Sequence, residues 1–499
     1  MYYNSTRNSG VKITAAEAIV QGISLDGGLF LPCKIPALSM EKIAGLGDIR
    51  YSKRAAFIFS KYLTDFTEEE IRYCTESAYN DKSFDSENIV EMENIAEGVY
   101  LLELWRGPTC AFKDMALQIL PYLLSVSAKK ININKEIVIL TATSGDTGKA
   151  ALDGFKDVDG TKIIVFYPDE GVSAIQKLQM TTQDGDNVAV CGVRGNFDDC
   201  QSGVKALFTD LEVNKLLEEK GMVFSSANSI NWGRLLPQIV YYVSSYALLV
   251  KNGDIKAGEK INIAVPTGNF GNILAAYLAM EMGIPVNKFI CASNKNNVLT
   301  DFIKTGVYDK NREFFTTLSP SMDILISSNL ERLLYIMCGR DDTLVKEWFD
   351  KLAKDGRYEV TDTLKAKLAE SFYGGFCDDE QTKETIKEIY DKYSYTLDTH
   401  TAAAVRVYED YKAETGDCLK TVIASTASPY KFGNSVIEAI TSEPLPAATD
   451  EFAVIDKLFK LSGMSVPQSL SELKNKKVRF DTVIGKDELQ AYVFKTINS

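Results

Sequence analysis

One lysine stands in a setting where its amine could react. Lys113 lies in the sequence GPTCAFKD (107–114), after a Gly-Pro turn and beside Phe112 and Met115. Apolar surroundings disfavour the ammonium form of a lysine, and the neutral amine can form a Schiff base with a carbonyl group. The alternative is a lysine whose charged end reaches water, and for an arbitrary lysine that alternative is the common one.

A glycine-rich loop offers a site for an anion. The loop GNFGN consists of Gly268, Asn269, Phe270, Gly271 and Asn272. It follows an apolar run and opens an apolar helix, so its amides and the helix dipole would point at a bound anion. We interpret the loop as a phosphate cradle, against the alternative of a turn that binds nothing. It matches neither a Walker loop nor GxGxxG.

A second loop, TSGDTG, has a similar position at the start of a helix. Its central residues are Ser144, Gly145, Asp146 and Thr147. Such a group of amides and hydroxyls suits a carboxylate or a phosphate. Simple capping of the helix explains the same residues equally well. His400, the only histidine, receives no catalytic role, because Asp398 or Thr399 beside it could simply cap a helix over 401–411.

The elements that must position these residues follow an α/β pattern. Short apolar runs predict strands at 137–142, 162–167, 187–193, 261–266, 288–292 and 420–424. Helical patterns alternate with them, which indicates parallel sheets covered on both faces. Ligands then bind at the carboxyl ends of the strands, in the loops 143–148, 267–272 and 425–429. Residues 1–95 read as a mainly helical N-terminal domain.

Composition excludes several classes of function. The chain of 499 residues carries 68 acidic and 55 basic side chains, a net charge of −13, which argues against nucleic acid and anionic membranes as partners. A single histidine excludes a multi-histidine metal site, and we expect no metal. The nine cysteines form no CxxC pair, residues 1–9 lack the apolar core of a signal peptide, and no window reaches the length of a membrane span. We therefore expect a cytoplasmic protein with reduced thiols.

Taken together and in order, the motifs resemble the threonine synthase family. The segments that carry the resemblance are YNSTR (3–7), EAIVQGISLDGGLFLP (17–32), GPTCAFKDMALQ (107–118), TATSGDTGKAA (141–151), NSINWGRLLPQIVYY (228–242), PTGNFGNILAAY (266–277), NVLTDFIKTGVY (297–308), SPSMDILISSNLERLLY (319–335) and STASPYKF (425–432). The resemblance implies a fold-type II, tryptophan synthase β-like enzyme that uses pyridoxal 5′-phosphate. It would have two parallel-sheet α/β lobes, a large one (96–130 and 230–499) and a smaller mobile one (131–229), besides the N-terminal domain.

The resemblance also implies an activity and a set of site residues. The enzyme would convert O-phospho-L-homoserine and water to L-threonine and phosphate, as a monomer or homodimer. Lys113 would be the Schiff-base lysine and the base that transfers protons. The other residues expected to bind the cofactor are Gly268, Asn269, Phe270, Gly271, Asn272 and Thr426. The residues expected to bind the substrate are Ser144, Gly145, Asp146, Thr147, Asn228, Ser229 and Arg234.

Three positions depart from the family pattern. Ser428 stands where the family usually has histidine, Thr399 where proline is common, and Cys110 where leucine or alanine is common. Rival readings are another fold-type II reaction on a related amino acid, such as phospho-lyase chemistry giving 2-oxobutyrate, and a non-enzymatic phosphate-binding protein. The product of the reaction separates the first rival, and a covalent cofactor at Lys113 separates the second. A scaffold protein lacks support, because the sequence has no repeat and no heptad run.

Overall fold

The structure is a computed structural model that describes residues 1–143, 145–170, 172–446 and 449–498. Its strands in these ranges are β1 (Tyr3–Ser5), β2 (Asn8–Ile13), β3 (Phe30–Pro32), β4 (Glu91–Ala96), β5 (Val99–Glu103), β6 (Glu136–Ala142), β7 (Thr161–Pro168), β8 (Val188–Arg194), β9 (Met222–Ser225), β10 (Ile261–Pro266), β11 (Val286–Ser293), β12 (Val307–Asp309), β13 (Arg357–Glu359), β14 (Phe372–Phe376), β15 (Thr421–Ser425) and β16 (Val483–Gly485).

Helices separate most of these strands. They are α1 (Ala15–Gln21), α2 (Met40–Gly45), α3 (Tyr51–Tyr62), α4 (Glu68–Ala78), α5 (Asp114–Leu117), α6 (Leu120–Lys130), α7 (Asp146–Phe155), α8 (Ala174–Thr181), α9 (Phe197–Thr209), α10 (Leu211–Glu219), α11 (Trp232–Asn252), α12 (Gly271–Glu281), α13 (Val298–Thr305), α14 (Leu330–Met337), α15 (Asp342–Asp355), α16 (Asp362–Ser371), α17 (Asp379–Tyr393), α18 (Thr399–Thr415), α19 (Gly433–Thr441), α20 (Glu451–Ser462), α21 (Gln468–Ser471) and α22 (Leu489–Asn498). No helix in the described ranges is long and apolar enough to cross a membrane.

Two sheets carry the α/β pattern. The larger has the strand order β14-β11-β10-β15-β5-β4 and is parallel except for β4, which runs antiparallel to β5. The smaller, β16-β8-β7-β6-β9, is parallel throughout. The α/β class with two parallel-sheet lobes and a mainly helical N-terminal region is therefore confirmed. Each predicted strand is present, and β10 has the predicted bounds.

The N-terminal region is built from helices with clear capping signals and a small sheet. Thr14 and Thr67 both form capping boxes, at the starts of α1 and α4, and Gly22 ends α1 with a positive φ of 71°. The antiparallel sheet β2-β1-β3 lies beside these helices. Helix α11, almost wholly buried, packs against α2, α3, α5 and α12, and so joins this region to the larger sheet.

The C-terminal segment contributes to the smaller sheet. Strand β16 pairs in parallel with β8, and α22 packs against α9 and α10. The family resemblance groups 230–499 with the large lobe, and the sequence pattern gives no reason to separate β16, because a strand of three residues has no local signal of its own. The exact division into three domains stays a prediction.

Candidate active site

Two loops at the carboxyl end of the larger sheet bring Lys113 next to Thr426. Lys113 ends the loop before α5, and Thr426 follows β15 directly. The Phe112 N–H donates to the Thr426 carbonyl at 2.8 Å, and the Ser428 N–H donates to the Cys110 carbonyl at 3.0 Å. Because these backbone bonds tie the loops together, the two side chains line the same cavity.

The amine of Lys113 lies among charged groups in a site with little access to water. Its Nζ donates to Ser321 Oγ at 3.2 Å and lies 3.8 Å from Asp146 Oδ2, and the side chain is 12% exposed. Burial lowers the pKa of Lys113, and the positive charges of Arg234 and Lys431 lower it further, against the opposite effect of Asp146. Desolvation, the largest of these effects, thus favours the neutral amine that the sequence predicted.

The loop 268–272 has its carbonyl groups fixed by the segment before α14. Ser327 Oγ donates to the Gly268 carbonyl at 2.7 Å, and Asn329 donates to the Asn269 carbonyl through its N–H at 3.1 Å and its Nδ2 at 3.0 Å. Phe270 has a φ of 60°, and α12 begins at the next residue. Since the first amides of a helix have no acceptor within it, they remain able to bind an anion.

One side chain in this loop has a donor with no acceptor. Asn272 Oδ1 accepts from the hydroxyls of Tyr241 and Tyr242 at 2.8 and 2.5 Å. Its Nδ2 is buried and has no hydrogen-bond partner among the described residues. A buried NH₂ group without a partner costs free energy, and an oxygen of a phosphate would satisfy it. The loop therefore fits a phosphate group.

Residues predicted from separate motifs meet in a single cavity of about 260 Å³. Those that line it are Lys113, Asp146, Thr147, Asn228, Ser229, Arg234, Gly268, Asn269, Phe270, Gly271, Asn272 and Thr426. Gly145 lies at the start of α7 but does not line the cavity, and Ser144 lies outside the described residues.

Arg234 provides a second positive group in the cavity. It is 4% exposed, its Nη1 donates to the Ala227 carbonyl, and its Nε has no partner among the described residues. Burial lowers the pKa of Arg234 to about 10. A buried guanidinium with a free donor is suited to an anionic ligand separate from the one held by the loop 268–272.

The side chain of Asp146 is engaged by groups of the protein itself. Its Oδ1 pairs with Lys431 Nζ at 2.8 Å and accepts from Gln176 Nε2 at 2.8 Å. Thr143 Oγ1, in the same loop, accepts from the amides of Gly145 and Gly148 at 3.0 and 2.9 Å. A carboxylate repels another carboxylate, so contact with an anionic substrate would have to come from amides and hydroxyls of this loop. The role of the loop 144–147 in substrate binding stays a prediction.

Three residues without a predicted role also take part in the arrangement. Ser321 accepts the hydrogen bond of Lys113, and Lys431 pairs with Asp146. His400 lines the cavity, and its Nε2 accepts the Ser321 N–H at 3.1 Å while its Nδ1 lies 3.1 Å from Asp398 Oδ1. Ser321 and Lys431 lie within motifs of the family resemblance, and His400 follows Thr399, but the residue type alone gave no signal for a role.

The positions that depart from the family pattern lie close to these loops. Ser428 Oγ and Thr399 Oγ1 are both buried, and neither has a hydrogen-bond partner among the described residues. The Cys110 thiol lies 3.4 Å from Ser469 Oγ. Burial of a hydroxyl without a partner lowers the stability of the fold. Ser428 and Thr399 are therefore imperfectly matched to their surroundings.

Comparison with known protein families defines the class. A family described as pyridoxal-phosphate dependent enzyme matches residues 85–425, a span that contains the Lys113 loop and the loop 268–272. Families described as threonine synthase N terminus and threonine synthase, C-terminal match residues 2–79 and 401–493. With two parallel sheets around the site, the protein is in the class of fold-type II pyridoxal-phosphate dependent enzymes, and pyridoxal 5′-phosphate is its cofactor.

Individual relatives narrow the class. Threonine synthase of Saccharomyces cerevisiae is 37% identical over 467 residues, which cover 88% of this chain and 89% of the relative. The crystal structure of pyridoxal-phosphate-bound threonine synthase from Brucella melitensis has a TM-score of 0.88 and 32% identity, with both chains fully covered. Human threonine synthase-like 1 is 40% identical over 435 residues, and the chain spans 58% of the length of that relative. The chain belongs to the threonine synthase family.

Proposed function

We propose that this protein converts O-phospho-L-homoserine and water to L-threonine and phosphate. The observation that carries the proposal is one cavity that joins a lysine amine of lowered pKa to two separate anion sites. The loop 268–272 suits the phosphate of the cofactor, and Arg234 suits the phosphate of the substrate. Two phosphate groups must be held at once in this reaction, and the cavity has a place for each.

The residues of the cavity divide between holding the cofactor and acting on the substrate. In this proposal Lys113 attaches the cofactor, the amides of 268–272 and Asn272 Nδ2 hold its phosphate, and the Thr426 hydroxyl binds its ring nitrogen. When bound, pyridoxal phosphate withdraws electrons from the substrate and so makes its Cα and Cβ protons acidic. Asn228 and Ser229 line the same cavity and directly follow Ala227, whose carbonyl accepts from Arg234, so they are assigned to the substrate with it.

Lys113 is proposed to move the protons. Once freed by the incoming substrate amine, its Nζ takes the proton from Cα and then one from Cβ, and the electron pair of the Cβ–H bond expels phosphate from Cγ. A proton is then delivered to Cγ to form the methyl group, water adds its hydroxyl at Cβ, and a proton returns to Cα. A base works best when its pKa lies near the working pH, and burial with two nearby cations lowers the pKa of Lys113 in that direction. Ser321 Oγ, at 3.2 Å, holds the amine in position between transfers.

Water must be kept from the site until the addition step. Thr147, on α7 after β6 of the smaller sheet, and the loop 268–272, after β10 of the larger sheet, line the same cavity. We therefore propose three domains (1–95; 96–130 with 230–499; 131–229), of which the last moves towards the loop 268–272 when substrate binds and carries with it β16 and α22, which pack on it. Crystal structures with and without a substrate analogue test this, and identical lobe positions in the two would contradict it.

The decisive experiment follows phosphate and threonine together. Purified protein is incubated with pyridoxal phosphate and O-phospho-L-homoserine, and equal release of both products is expected. Phosphate with 2-oxobutyrate and no threonine would contradict the proposal and indicate a lyase instead. No release of phosphate and no uptake of the cofactor would contradict enzyme function altogether.

The role of Lys113 is tested by its replacement. Lys113→Ala should lose both turnover and the cofactor that borohydride fixes to the protein, because no other amine is expected to take its place. Lys129→Ala, at an exposed position on α6, is the control and should keep both. Full turnover in Lys113→Ala would show that the assignment is wrong.

We also propose that the protein is cytoplasmic and acts as a monomer or homodimer. The support for the location is that all nine cysteines are free thiols, as is typical of a reducing compartment. Cell fractionation tests the location, and light scattering on the purified protein tests the assembly.

A further inference from the structure

Lys431 is a lysine with no exposed side-chain surface. It lies in the short helical turn Pro429–Phe432, after β15. Its Nζ donates to the Thr109 carbonyl at 3.0 Å and to Gln179 Oε1 at 2.9 Å, and it pairs with Asp146 Oδ1 at 2.8 Å. An ammonium group has three donors, so each one has an acceptor and the position of the group is fixed.

The three acceptors belong to different parts of the fold. Thr109 lies in the loop that carries Lys113, Asp146 begins α7, and Gln179 lies on α8. A single buried ammonium therefore joins the lysine loop to helices associated with the smaller sheet. Removing a charged group from water has a large cost in free energy. The three acceptors of Lys431 must offset this cost for the group to stay buried.

Asp146 lies between Lys431 and Lys113. Its Oδ1 faces Lys431 at 2.8 Å, and its Oδ2 faces Lys113 at 3.8 Å. Burial alone would raise the pKa of Asp146, but the charges of Lys431 and Lys113 and the hydrogen bonds from Lys431 and Gln176 hold it well below its usual range. The carboxylate is therefore ionised, and the two lysines compete for it.

The geometry points to Lys431 as a positioning residue that engages Asp146, so that the amine of Lys113 is left free to react with the cofactor. This inference rests on the proposed function of Lys113. Asp146 lies closer to Lys431 than to Lys113. Lys431 is also held in place by its complete burial and by its hydrogen bonds to Thr109 and Gln179, so the carboxylate is directed towards it. Lys431 forms no described hydrogen bond to the loop 268–272 or to Lys113, so it acts through its contact with Asp146, besides the repulsion between the two ammonium groups.

The charges around Lys113 show in which direction the loss of Lys431 would change the pKa of Lys113. The charged or titratable groups that act on it are Asp146, Asp114, Arg234 and Lys431. With Lys431 present, the negative charge of Asp146 is matched even when Lys113 is neutral. Without Lys431, the nearest cation left for Asp146 is Lys113, and attraction between them favours the ammonium form, which cannot attack a carbonyl.

The test measures attachment of the cofactor in the absence of substrate. Full-length protein stripped of its cofactor is mixed with pyridoxal phosphate at a series of pH values, trapped with borohydride at timed intervals, and analysed for the modified Lys113 peptide. In Lys431→Met the midpoint of the rate against pH should rise by about one unit or more, which makes attachment about tenfold slower at neutral pH. Lys431→Arg, which keeps the charge, should stay near the parent.

A buried lysine that contacts neither Lys113 nor Asp146 provides the matched control. Lys149, on α7, has a side chain 8% exposed and binds Asp153 and Gln183. Lys149→Met removes a similar buried charge and should leave the midpoint unchanged. An equal shift in both Met variants, or none in Lys431→Met, would overturn the inference and leave Lys431 with a structural role only.

A double variant covers the case in which Lys431→Met does not fold. Lys431→Met with Asp146→Asn removes both charges of the pair and leaves no buried ion unpaired. Its midpoint should return to that of the parent or fall below it, and a rise like that expected for the single variant would refute the inference. A parent protein that takes up no pyridoxal phosphate would instead refute the proposed function, and this inference with it.

Discussion

Gly268 is the position where one methyl group tests the loop geometry most directly. A Cβ at this position would lie 2.5 Å from the Ser321 carbonyl oxygen and 3.5 Å from Met322 Cα. The close atom belongs to the backbone and cannot rotate away, and the Ser321 N–H is itself bound by His400. Gly268→Ala therefore forces the loop 268–272 and the segment around Ser321 apart.

The size of the effect follows from the distance. A carbon and a carbonyl oxygen rest at roughly 3.3–3.6 Å, so the two segments must separate by roughly 1 Å. Overpacking of this kind costs about 1–3 kcal/mol, which corresponds to about 5- to 150-fold in an equilibrium constant. If the loop relaxes in the absence of the cofactor, the cost appears as a higher Kd for pyridoxal phosphate. If it does not relax, the cost appears as lower stability.

Both quantities can be measured on the same protein. Urea unfolding without the cofactor gives the stability, and a titration followed by absorbance gives the Kd. Gly271→Ala is the comparison for stability, because a Cβ there would lie at ordinary contact distances, 3.4 Å from Asn329 Nδ2 and 3.7 Å from Gln238 Nε2. A Gly268→Ala variant with the stability and the Kd of the parent would refute the close contact between the loop and Ser321.

Two further substitutions, Asn272→Asp and Asp114→Asn, test the phosphate loop and a buried carboxyl group next to Lys113. Asn272→Asp keeps an acceptor for the two tyrosine hydroxyls but replaces the free donor with a charge of the same sign as a phosphate. We expect an intact fold by circular dichroism and a Kd for pyridoxal phosphate at least about tenfold higher, and an unchanged Kd would count against a phosphate at this loop. Burial raises the pKa of Asp114 to about 7, against the hydrogen bonds from Thr109. The folded protein therefore binds this proton more tightly than the unfolded chain, and the stability it contributes is present below about pH 4 and is lost as the pH rises to about 7, by about 4 kcal/mol in all. Asp114→Asn should remove this decline in urea unfolding at pH 5 and 7, whereas the same slope in both proteins would show that Asp114 does not titrate in this range.

Much of the frame could be predicted because its signals are local. The run Ile261–Pro266 is apolar throughout and is followed at once by glycine and a helix, so both the strand and the anion site after it could be found from adjacent residues. Capping boxes at Thr14 and Thr67 work over three residues in the same way. The strand Val99–Glu103 was missed, because its four apolar residues do not by themselves distinguish a strand from a buried helix.

The parts that could not be predicted depend on contacts between distant residues. Lys431 is buried because Thr109 and Gln179, 322 and 252 residues away, supply its acceptors. From its neighbours in the sequence alone, Tyr430 and Phe432, we would expect an ordinary amphipathic position whose charged end reaches water. His400 is similar, because its contact with the Ser321 amide exists only once the loop before α14 has folded over the site. In both cases the residue type is informative only in combination with the fold.

The N-terminal segment YNSTR (3–7) makes long-range contacts of this kind with α14. Thr6 and Arg7, in YNSTR, both bind the carboxylate of Glu331, Arg7 through two hydrogen bonds of 2.9 and 2.8 Å.

The next residue along α14 connects this contact to the site. Arg332 is fully buried and donates to the Phe30 carbonyl of β3, to Asn329 Oδ1 and to the Ile230 carbonyl. Asn329 in turn holds the Asn269 carbonyl. A chain of hydrogen bonds therefore runs from the first strands of the protein, through α14, to the loop that fits the phosphate. A motif that contains no group in the cavity can fix the geometry of the cavity in this way, because it fixes the residues that hold the loop in place.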